Sequence, residues 1–570
     1  MDKIELLSPV GSMANLKAAV SNGADAVYLG MKRFSARDFA TNFNEKYLTE
    51  AVNICKSNNV KSYLTMNTLV KDDEFDDFFD QLSFAYSKGI DAVIIQHLSF
   101  LPLIKKQFSD LRVHISTQVG VMNSASSGFL SKADRITLAR ELSKEELTII
   151  RKNYSEELEI FCHGALCVSL SGQCLFSSLL GGRSGNRGKC AQPCRKKYDN
   201  NYYLSTKELC LIEKLPEIIG IGINAVKIEG RMRTPYYVAT VTEAYRKAID
   251  SFYSGKFTVT KEMILKLKDA FNRDFTKGWF ERSEDIFNRE YASGKVNPTN
   301  THEMYEVKLN KIHPERKTIT FNLPKFENTK SKKQLLVRVY TVKDAIAACS
   351  SGADIIYFDL FDKAFSDVKD AVNCKVYAVT PRIMLDSDKE PILNFISEKK
   401  ANGILAGNVG MLNMDLNIPI HLDYNLNCFN DIDLQYVSGM NALPIISPEL
   451  SIPELIKLKN RNFAEFVHGK IRLMTLRHNL KTGIIRDEKG GLFRVKKVMN
   501  GSEIINGKEL GLLSKSAQLV DAGITIFYID TETKVGEITG LYRKILDGKS
   551  INDSRIKREY ILGWSFRGVS

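Results

Sequence analysis

The first half of the chain alternates short apolar runs, rich in β-branched residues, with segments of helical apolar spacing. The helical spacing is clear in Asn15–Ser21 and Lys144–Lys152, where apolar residues recur every three or four positions. Eight strands that alternate with helices over about 250 residues are typical of a (β/α)8 barrel. The predicted strands are Ile4–Ser8, Ala26–Gly30, Lys61–Asn67, Ala92–His97, Arg112–Gln118, Arg135–Arg140, Leu158–His163 and Ala225–Gly230.

The second half repeats this alternation and also repeats short sequences of the first half. Gly23–Tyr28 corresponds to Gly352–Tyr357, and Tyr245–Lys247 corresponds to Tyr542–Lys544. Because such matches keep their order, an internal duplication explains them better than a doubly wound sheet does. The predicted strands of this half are Leu335–Tyr340, Asp354–Asp359, Lys375–Thr380, Gly403–Asn408, Ile418–Asn425, Leu443–Ser447, Phe463–His468 and Ile524–Asp530.

These patterns predict an α/β chain with two TIM-like (β/α)8 barrels. We expect the first barrel at residues 1–286 and a second, degenerate barrel at residues 334–570. Between them, Tyr305–Leu309 and Lys317–Phe321 alternate like the two strands of a hairpin. Residues 287–333 are therefore expected to form a small β hairpin domain and linker.

Composition restricts the class of protein. The chain has 570 residues, 44% hydrophobic and 26% charged, which suffices for a large core and excludes a mostly disordered chain. No stretch of about 20 apolar residues predicts a membrane span, and the first residues do not resemble a secretory signal. We therefore expect a cytoplasmic, reducing environment. The net charge of +13 fits either a polyanionic partner such as nucleic acid or a solvated basic surface.

Five of the ten cysteines fall between positions 162 and 194. Four of these follow the seventh predicted strand, and four thiolates at one place suit zinc or an iron–sulfur cluster. Irregular spacing on a long glycine-rich loop favours a 4Fe–4S cluster, with zinc as the alternative. Ordinary buried cysteines are the remaining interpretation, which we prefer for Cys162. The candidate metal ligands are Cys167, Cys174, Cys190 and Cys194.

The corresponding loop of the second half lacks these cysteines. Arg472 stands at the position of Cys167, after His468 and Gly469, which match His163 and Gly164. Only the first barrel is therefore expected to carry a metal, and the second would be a scaffold or a binding surface.

The cysteine loop is also strongly basic. Positive charge beside a metal site attracts an RNA backbone or an acidic small molecule. Alternatively, the cations offset the negative charge of the thiolates. Arg183 and Arg187 are candidate substrate-binding residues of this loop. Its cations are Arg183, Arg187, Lys189, Arg195, Lys196 and Lys197.

Polar residues at the carboxyl ends of the predicted strands would share the mouth of the first barrel, where (β/α)8 enzymes place their active sites. His163 is a candidate for proton transfer. Arg140 and Arg231 suit a dicarboxylate, because a guanidinium holds a carboxylate through two parallel hydrogen bonds. For each residue the alternative is a structural contact. The candidate catalytic residues are His163, Glu229 and Arg231, and the further candidates for substrate binding are Gln118, Arg140 and Glu141.

Several of these segments together resemble the peptidase U32, or collagenase-like, family. The similarity is firm over about residues 1–290 and loose beyond. The cysteine loop carries it most specifically, through Phe161–Ser169, Ser171–Cys174, Gly182–Gly188 and Cys190–Arg195. The other matching segments are Glu5–Pro9, Gly11-Ser12, Gly23–Gly30, Ser116–Gln118, Lys227–Arg231 and Phe271–Gly278.

The resemblance implies oxygen-independent hydroxylation of an RNA base, such as a tRNA uridine or a ribosomal cytidine, or of the ubiquinone ring. It implies that Cys167, Cys174, Cys190 and Cys194 hold an iron–sulfur cluster, and that prephenate is the oxygen source. We therefore predict an iron–sulfur enzyme that hydroxylates an RNA pyrimidine. RNA is the expected partner, together with a small dicarboxylate and an electron donor or partner protein.

Two other function classes stay open. The family name implies a peptidase, but the chain has neither a His-Glu-x-x-His nor a Gly-x-Ser-x-Gly motif. Cys162 and His163 are adjacent on a strand and therefore point to opposite faces, which disfavours a nucleophile and its base. The third class is a non-catalytic, metal-stabilised scaffold that binds RNA.

Overall fold

A computed structural model describes residues 3–283, 285–289, 305–310, 316–549, 551, 560–563, 565, 568 and 569. The chain divides into two compact units. Unit 1 comprises residues 1–172 and 185–322, and unit 2 comprises residues 173–184 and 323–570.

Within its described residues, unit 1 has ten strands, eight of which form a closed parallel barrel, as predicted. Its strands are β1 (Glu5–Val10), β2 (Ala26–Gly30), β3 (Lys61–Met66), β4 (Ala92–Ile95), β5 (Arg112–Ile115), β6 (Arg135–Thr137), β7 (Glu157–Ala165), β8 (Glu208–Cys210), β9 (Ala225–Ile228) and β10 (Phe275–Thr276). Strands β1 to β7 pair in order, and β9 closes the barrel between β7 and β1. The short strand β8 adds antiparallel to β7, and β10 adds to β8.

Helices lie between these strands because their apolar faces follow the helical period that the sequence shows. The helices in the sequence range of the first half are α1 (Met13–Ser21), α2 (Glu45–Ser57), α3 (Phe75–Ser87), α4 (Phe100–Gln107), α5 (Ser127–Leu130), α6 (Lys144–Asn153), α7 (Phe176–Gly181), α8 (Leu215–Ile221), α9 (Pro235–Tyr253) and α10 (Lys261–Ala270). Of these, α7 belongs to unit 2.

Unit 2 repeats the parallel sheet in a more open form. Its strands are β11 (Gln334–Arg338), β12 (Ile355–Asp359), β13 (Lys375–Val379), β14 (Gly403–Ala406), β15 (Ile420–Leu422), β16 (Ala442–Pro444), β17 (Glu465–Gly469), β22 (Leu510–Gly511) and β23 (Ile526–Asp530). The sheet runs from β16 through β11 and β23 to β17. An isolated parallel bridge between Ile445 and Ala464 links its two ends.

A separate antiparallel sheet follows β17 and is absent from the predicted elements. Its strands are β18 (Arg472–Leu476), β19 (Gly483–Arg486), β20 (Leu492–Val498) and β21 (Gly501–Asn506). It stands at the sequence position of the cysteine loop of the first half. The remaining helices of unit 2 are α11 (Val342–Ser350), α12 (Phe365–Ala371), α13 (Lys389–Glu398), α14 (Asp431–Ser438), α15 (Ile452–Lys457), α16 (Ser516–Asp521) and α17 (Val535–Leu546).

The repeated sequences make the same contacts in each unit. In unit 1, Asp25 accepts a hydrogen bond from the amide of Leu6 at 2.8 Å and pairs with Arg246 at 2.9 Å. In unit 2, Asp354 accepts from the amide of Leu335 at 2.7 Å and pairs with Arg543 at 3.3 Å. The Gly-Ala-Asp and Tyr-Arg-Lys repeats therefore recur because their aspartate and arginine form one structural contact that ties the first strand to a late helix.

The connector between the two sequence halves differs from the predicted hairpin. Its described residues, 305–310 and 316–333, contain no strand. Instead, the side-chain amide of Asn58 donates to the Lys308 carbonyl at 2.9 Å, and the Phe321 ring stacks on Phe79 with 3.6 Å between the ring centroids. Side chains of unit 1 thus bind the backbone groups that a hairpin would have paired with each other. The predicted turn at residues 313 and 314 lies outside the described residues.

Within the part of the chain that the structure describes, no helix combines the length and the apolar character needed to cross a bilayer.

Candidate active site at the mouth of the first barrel

The mouth of the unit 1 barrel holds an ion pair between Glu229 and Arg37. Glu229 follows β9, and Arg37 lies on the segment after β2. Arg37 donates from Nε and Nη2 to Oε1 of Glu229, at 3.1 and 3.0 Å. Sequence reasoning finds Glu229 from its place after a strand but misses Arg37, which is 192 residues away. The available signal is that Arg37 also follows a strand, at the same end of the barrel.

Arg231 is buried in the same mouth, with 3% of its surface exposed. Its Nη1 donates to the hydroxyls of Ser35 at 2.6 Å and Thr65 at 2.5 Å. Its Nη2 is enclosed without a hydrogen-bond partner among the described residues. Burial, together with the like charge of Arg37, lowers the pKa of Arg231 to about 10. Because an enclosed donor without a partner is costly, this nitrogen favours an acceptor atom from a ligand.

Glu229 is held in its ionised form. Burial disfavours its charge, but the positive charges of Arg37, Arg140 and Arg231 outweigh burial and lower the pKa of the carboxyl group. Glu229 is therefore a carboxylate at neutral pH, suited to hold a cation or accept a proton rather than donate one.

Arg140 also faces the mouth with an unused donor. Its Nη1 donates to the Ala165 carbonyl at 3.3 Å, and its Nη2 donates to the Ser171 hydroxyl at 2.7 Å. Its Nε is enclosed without a partner in the described part of the chain. The two arginines predicted to hold a dicarboxylate, Arg140 and Arg231, thus each keep one enclosed nitrogen that donates a hydrogen bond to no described residue.

The cysteine loop approaches the mouth through close backbone contacts. Gly188 has a φ of +85°, and a Cβ at this position would lie 2.4 Å from the Ser35 carbonyl oxygen. Gly172 has a φ of +81°, and a Cβ there would lie 2.0 Å from the Gln118 carbonyl oxygen. Only glycine fits at either position. Gln118 therefore supports the loop through its backbone, while its side chain accepts from the Ser116 hydroxyl at 3.3 Å.

Two of the predicted ligands, Cys167 and Cys190, act electrostatically on a third, Cys194, and none of the three forms a disulfide. Burial raises the pKa of Cys194 to about 12; Arg195 opposes this rise, and the thiols of Cys167 and Cys190 add to it. Glu229 is the main cause that raises the pKa of Arg37, and Cys190 adds a smaller contribution. Cys194 is therefore in electrostatic range of both thiols, and Cys190 is in range of the ion pair of the mouth.

Cys174 lies in the segment 173–184, which groups with unit 2. In the described ranges, no three His, Cys, Asp or Glu side chains converge as closely as metal ligands do. The donor set fits an iron–sulfur cluster in kind, because thiolates are the usual ligands of such clusters and Cys167 and Cys190 both lie within electrostatic range of Cys194. The amide of Gln192 also donates to Cys190 Sγ at 3.3 Å, which favours a thiolate. The site of four cysteines stays a prediction.

His163 lies in an aromatic environment on β7 and not in the open mouth. It is 1% exposed, and its Nδ1 lies 3.4 Å from the Tyr245 hydroxyl. Its ring contacts those of Tyr245 and Phe275, each at 5.5 Å between centroids. Burial, with a smaller contribution from Arg233, lowers the pKa of His163 to about 3, so the imidazole is neutral at physiological pH. This environment favours a packing role, and the catalytic role stays a prediction.

The remaining candidates for substrate binding have different surroundings. Glu141 is buried and Arg183 is exposed. Arg187 donates to the Leu69 carbonyl at 2.7 Å and pairs with Glu74 at 2.7 Å. Arg187 therefore already holds a loop of unit 1 in place, which leaves less of its charge for a substrate.

Sequence reasoning misses a network of charged residues inside the barrel. Arg135, 2% exposed, pairs with Glu5 at 2.6 Å and with Glu159 at 3.4 Å. Glu159 also pairs with Lys227 at 2.9 Å. The signal was present as charged residues within otherwise apolar strands. Such residues are buried only when they are paired, so several of them in neighbouring strands indicate an internal network.

The sequence of this chain is similar to a protein family and to several known proteins. Peptidase family U32 matches residues 11–289. An uncharacterized protease of Methanocaldococcus jannaschii is 40% identical over 304 residues, which cover 50% of this chain and 74% of that protein. The tRNA hydroxylation protein P1 of Bacillus subtilis is 34% identical over 300 residues, covering 49% of this chain and 71% of that protein. A collagenase of Porphyromonas gingivalis is 34% identical over 310 residues, covering 49% and 74%.

A solved U32 peptidase structure aligns with 40% of this chain and 93% of its own length, at 17% sequence identity and a TM-score of 0.31.

Proposed function

The chain belongs to peptidase family U32, and from this premise we propose that it is an iron–sulfur enzyme that hydroxylates an RNA pyrimidine without molecular oxygen. One observation carries the proposal. Cys167 and Cys190 lie within electrostatic range of Cys194, and Cys190 also acts on Arg37 of the Arg37–Glu229 pair, at the end of the barrel where enzymes of this fold act. The similarity to a tRNA hydroxylation protein supports RNA as the substrate class.

The cluster ligands in this proposal are Cys167, Cys190 and Cys194, with Cys174 as the fourth ligand that the family resemblance implies. A 4Fe–4S cluster would supply electron transfer and Lewis acidity at the mouth. Zinc could not supply the electron transfer, because it has no redox chemistry.

The arginines of the mouth bind the oxygen donor. Hydroxylation replaces a C–H bond of the base by C–OH, so the base loses two electrons. The oxygen donor gives up its hydroxyl oxygen, its C–O bond is replaced by a C–H bond, and it gains those two electrons. A reductant would then serve only to bring the cluster to its reduced state. A dicarboxylate such as prephenate would place one carboxylate on Nη2 of Arg231 and direct the other toward Nε of Arg140. These are the enclosed N–H groups that lack partners among the described residues. Glu229, ionised beside Arg37, is the group suited to accept a proton.

The basic residues of the cysteine loop contribute unequally to RNA binding. Arg187 and Arg195 are engaged in structural contacts, Arg187 with Glu74 and Arg195 with the Thr206 carbonyl at 2.7 Å. Lys196 is exposed. Lysines bind RNA mainly through phosphate contacts, so this part of the binding is expected to weaken as the salt concentration rises. The electron donor would be a partner protein or a small reductant.

Anaerobic purification tests the cofactor, and reconstitution tests the reaction. We expect protein with bound iron and sulfide that, with prephenate and a reductant, adds one oxygen atom to a pyrimidine of unmodified RNA. Mass spectrometry of the digested nucleosides measures this product. Protein that binds zinc alone after anaerobic reconstitution with iron and sulfide would contradict the redox mechanism.

Peptidase activity is the second candidate, because two of the relatives carry protease names. The nucleophile that the sequence offers, Cys162, is 0% exposed, and burial raises the pKa of its thiol well above the usual value. Peptide cleavage that survives removal of the cysteines of the loop, and that one further substitution abolishes, would favour this candidate over hydroxylation.

A further inference from the structure

A second group of charged residues lies at the carboxyl ends of the unit 2 strands, where no cysteines stand. Arg338 ends β11, and Asp530 ends β23. Arg472 begins β18, and Glu503 lies on β21 of the antiparallel sheet. The strand ends of unit 2 thus gather buried charges as the mouth of unit 1 does, but with guanidinium groups in place of thiols.

Most members of this group have partners. Arg472 donates from Nε to Glu503 at 3.0 Å, from Nη1 to Asp530, and from Nη2 to the Tyr340 hydroxyl at 2.7 Å. The Tyr340 hydroxyl in turn donates to Asp530 at 2.6 Å. All of these side chains except Tyr340 are at least nine-tenths buried. Arg472 therefore binds two carboxylates, and the hydroxyls of Tyr340 and Tyr528 also donate to one of them, Asp530.

A second arginine, Arg382, binds the third carboxylate, Asp423. Arg382 donates from Nε and Nη2 to Oδ2 of Asp423, at 2.9 and 2.7 Å, and both side chains are buried. Arg382 also lies 3.9 Å from Glu503. The three buried carboxylates of this group are thus engaged by two arginines.

Two cations of the same group have no such partner. Arg338 is 9% exposed and forms neither a hydrogen bond nor an ion pair with any described residue; its closest recorded contact is the Tyr340 ring, 5.8 Å from its guanidinium carbon. Lys496 lies 4.5 Å from the same ring and likewise has no ion-pair partner in the described part. Burial and the charge of Arg472 disfavour the charge of Arg338, but Tyr340, Asp530 and Tyr528 outweigh them and raise its pKa. Burial and the charges of Arg472 and Arg338 lower the pKa of Lys496, against the opposing effect of Glu503 and Glu532.

The charge count leaves the group one positive charge in excess. Its cations number four and its carboxylates three, besides the Arg494–Glu532 pair, whose carboxylate also acts on Lys496. A buried guanidinium without a counter-ion is costly, whereas a bound carboxylate or phosphate would supply the charge and the paired acceptors that a guanidinium fits. The cations are Arg338, Arg382, Arg472 and Lys496, and the carboxylates are Asp423, Glu503 and Asp530.

We propose that the strand ends of unit 2 form a binding site for a small oxyanion, a carboxylate or a phosphate, held by Arg338 and Lys496 beside the ring of Tyr340. The burial of Arg338 restricts the ligand to a small group. Tyr340 offers an aromatic face next to the anion, so a ligand with an apolar body gains contact there. The proposal is independent of the iron–sulfur chemistry assigned to unit 1.

Calorimetric titration of the full-length protein with inorganic phosphate and, separately, with succinate tests the site and identifies the anion class. We expect saturable binding of at least one probe. Lys496→Met should weaken it about tenfold, because a charge-assisted hydrogen bond is lost. Lys343→Met removes an exposed lysine from α11 of the same unit and should leave the affinity unchanged. Equal weakening by both lysine variants would mean a general charge effect and would overturn the proposal.

Arg338→Met provides the second arm through protein stability. Without added anion, this variant should unfold at about the same temperature as the wild type or higher, because the buried guanidinium that it removes forms no hydrogen bond with any described residue. The stabilisation that the bound probe gives the wild type should disappear in the variant. The proposal is wrong if neither probe binds saturably, if RNA alone competes for the site, or if Arg338→Met binds the probe as tightly as the wild type.

Discussion

The two units place different chemistry on the same frame. In unit 1 the position after the seventh barrel strand carries Cys167, and the strand-end carboxylate Glu229 pairs with Arg37. In unit 2 the equivalent position carries Arg472, which binds Asp530, the counterpart of Glu229. The strand-end carboxylate is thus common to both units, and the group that faces it has changed. Our two proposals thus assign metal ligation to the strand ends of unit 1 and anion binding to the strand ends of unit 2.

The frame itself is visible in contacts that the two units share. Nδ1 of His163 lies 3.4 Å from the Tyr245 hydroxyl, and Nδ1 of His468 lies 3.3 Å from the Tyr542 hydroxyl. Each tyrosine also donates to the carbonyl of the residue before its histidine, at 2.8 Å. Because unit 2 keeps this contact without the cysteines, the contact belongs to the frame and does not require the metal site.

The largest expected difference between the units concerns their cysteines. Cys194→Ala should lose bound iron and all hydroxylation, because the remaining thiols cannot complete the ligand set. Cys349→Ala, in α11 of unit 2, is the matched control and should keep both the bound iron and the hydroxylation activity. Iron analysis of anaerobically purified protein, together with nucleoside mass spectrometry, measures the two effects. Full iron content in Cys194→Ala would remove this cysteine from the ligand set.

The next effect is in the charged group of unit 2. Asp530→Asn removes one of the two carboxylates that bind Arg472 and the carboxylate whose charge favours Arg338. Breaking a buried pair from one side costs about 3–5 kcal/mol, so urea-induced unfolding should show a loss of this size. A loss below about 1 kcal/mol would mean that solvent reaches these charges and that the group is not buried as described.

The corresponding pair of unit 1 should respond less. The Arg37 side chain is 38% exposed, against 2% for Arg472, so Arg37→Met should destabilise by about 1–2 kcal/mol. Arg33→Met breaks an exposed pair with Asp77 and should cost less than about 1 kcal/mol. Unfolding of the two variants side by side in urea decides the ranking. Equal losses would contradict the burial of Glu229.

The last comparison concerns the shared histidines. His163→Gln and His468→Gln should each destabilise by about 1–3 kcal/mol, since each removes a buried side chain with an aromatic environment. For His163 the pKa is about 3 in the folded state, below its unfolded value of about 6.5. The unfolded chain therefore binds the extra proton first, and stability falls as the pH falls from about 6.5 toward 3. His163→Gln should lose this part of the pH dependence, measured as the difference between variant and wild type; unchanged pH dependence would place His163 in contact with solvent.

The barrels were accessible from sequence because strand and helix periods, and the order of the repeats, depend on local patterns. Glu229 and Arg231 were accessible because they follow a strand. Arg37 was not, because its contact with Glu229 joins residues 192 positions apart. The connector was predicted as a hairpin because alternation alone does not distinguish strand pairing from packing, and Phe321 packs on Phe79.

The ion-pair partner of each buried charged residue could not be predicted, for a related reason. Charged residues within the strands signal that some partner exists, but pairs such as Arg135 with Glu5 depend on barrel closure, which sets neighbours across 130 positions. The lack of a hydrogen bond or ion pair at Arg338 among the described residues is still harder to predict, because it depends on which carboxylates Arg472 and Arg382 bind.

Hydroxylated pyrimidines in cellular RNA provide the most direct test of the proposed activity. Nucleosides are compared by mass spectrometry between the parent strain, a strain that lacks the gene, and that strain supplied with the wild type, Cys194→Ala or Cys349→Ala. A hydroxylated pyrimidine should disappear with the gene and return with the wild type and Cys349→Ala, but not with Cys194→Ala. Hydroxylated pyrimidines that persist at parental levels without the gene would contradict the assignment to RNA.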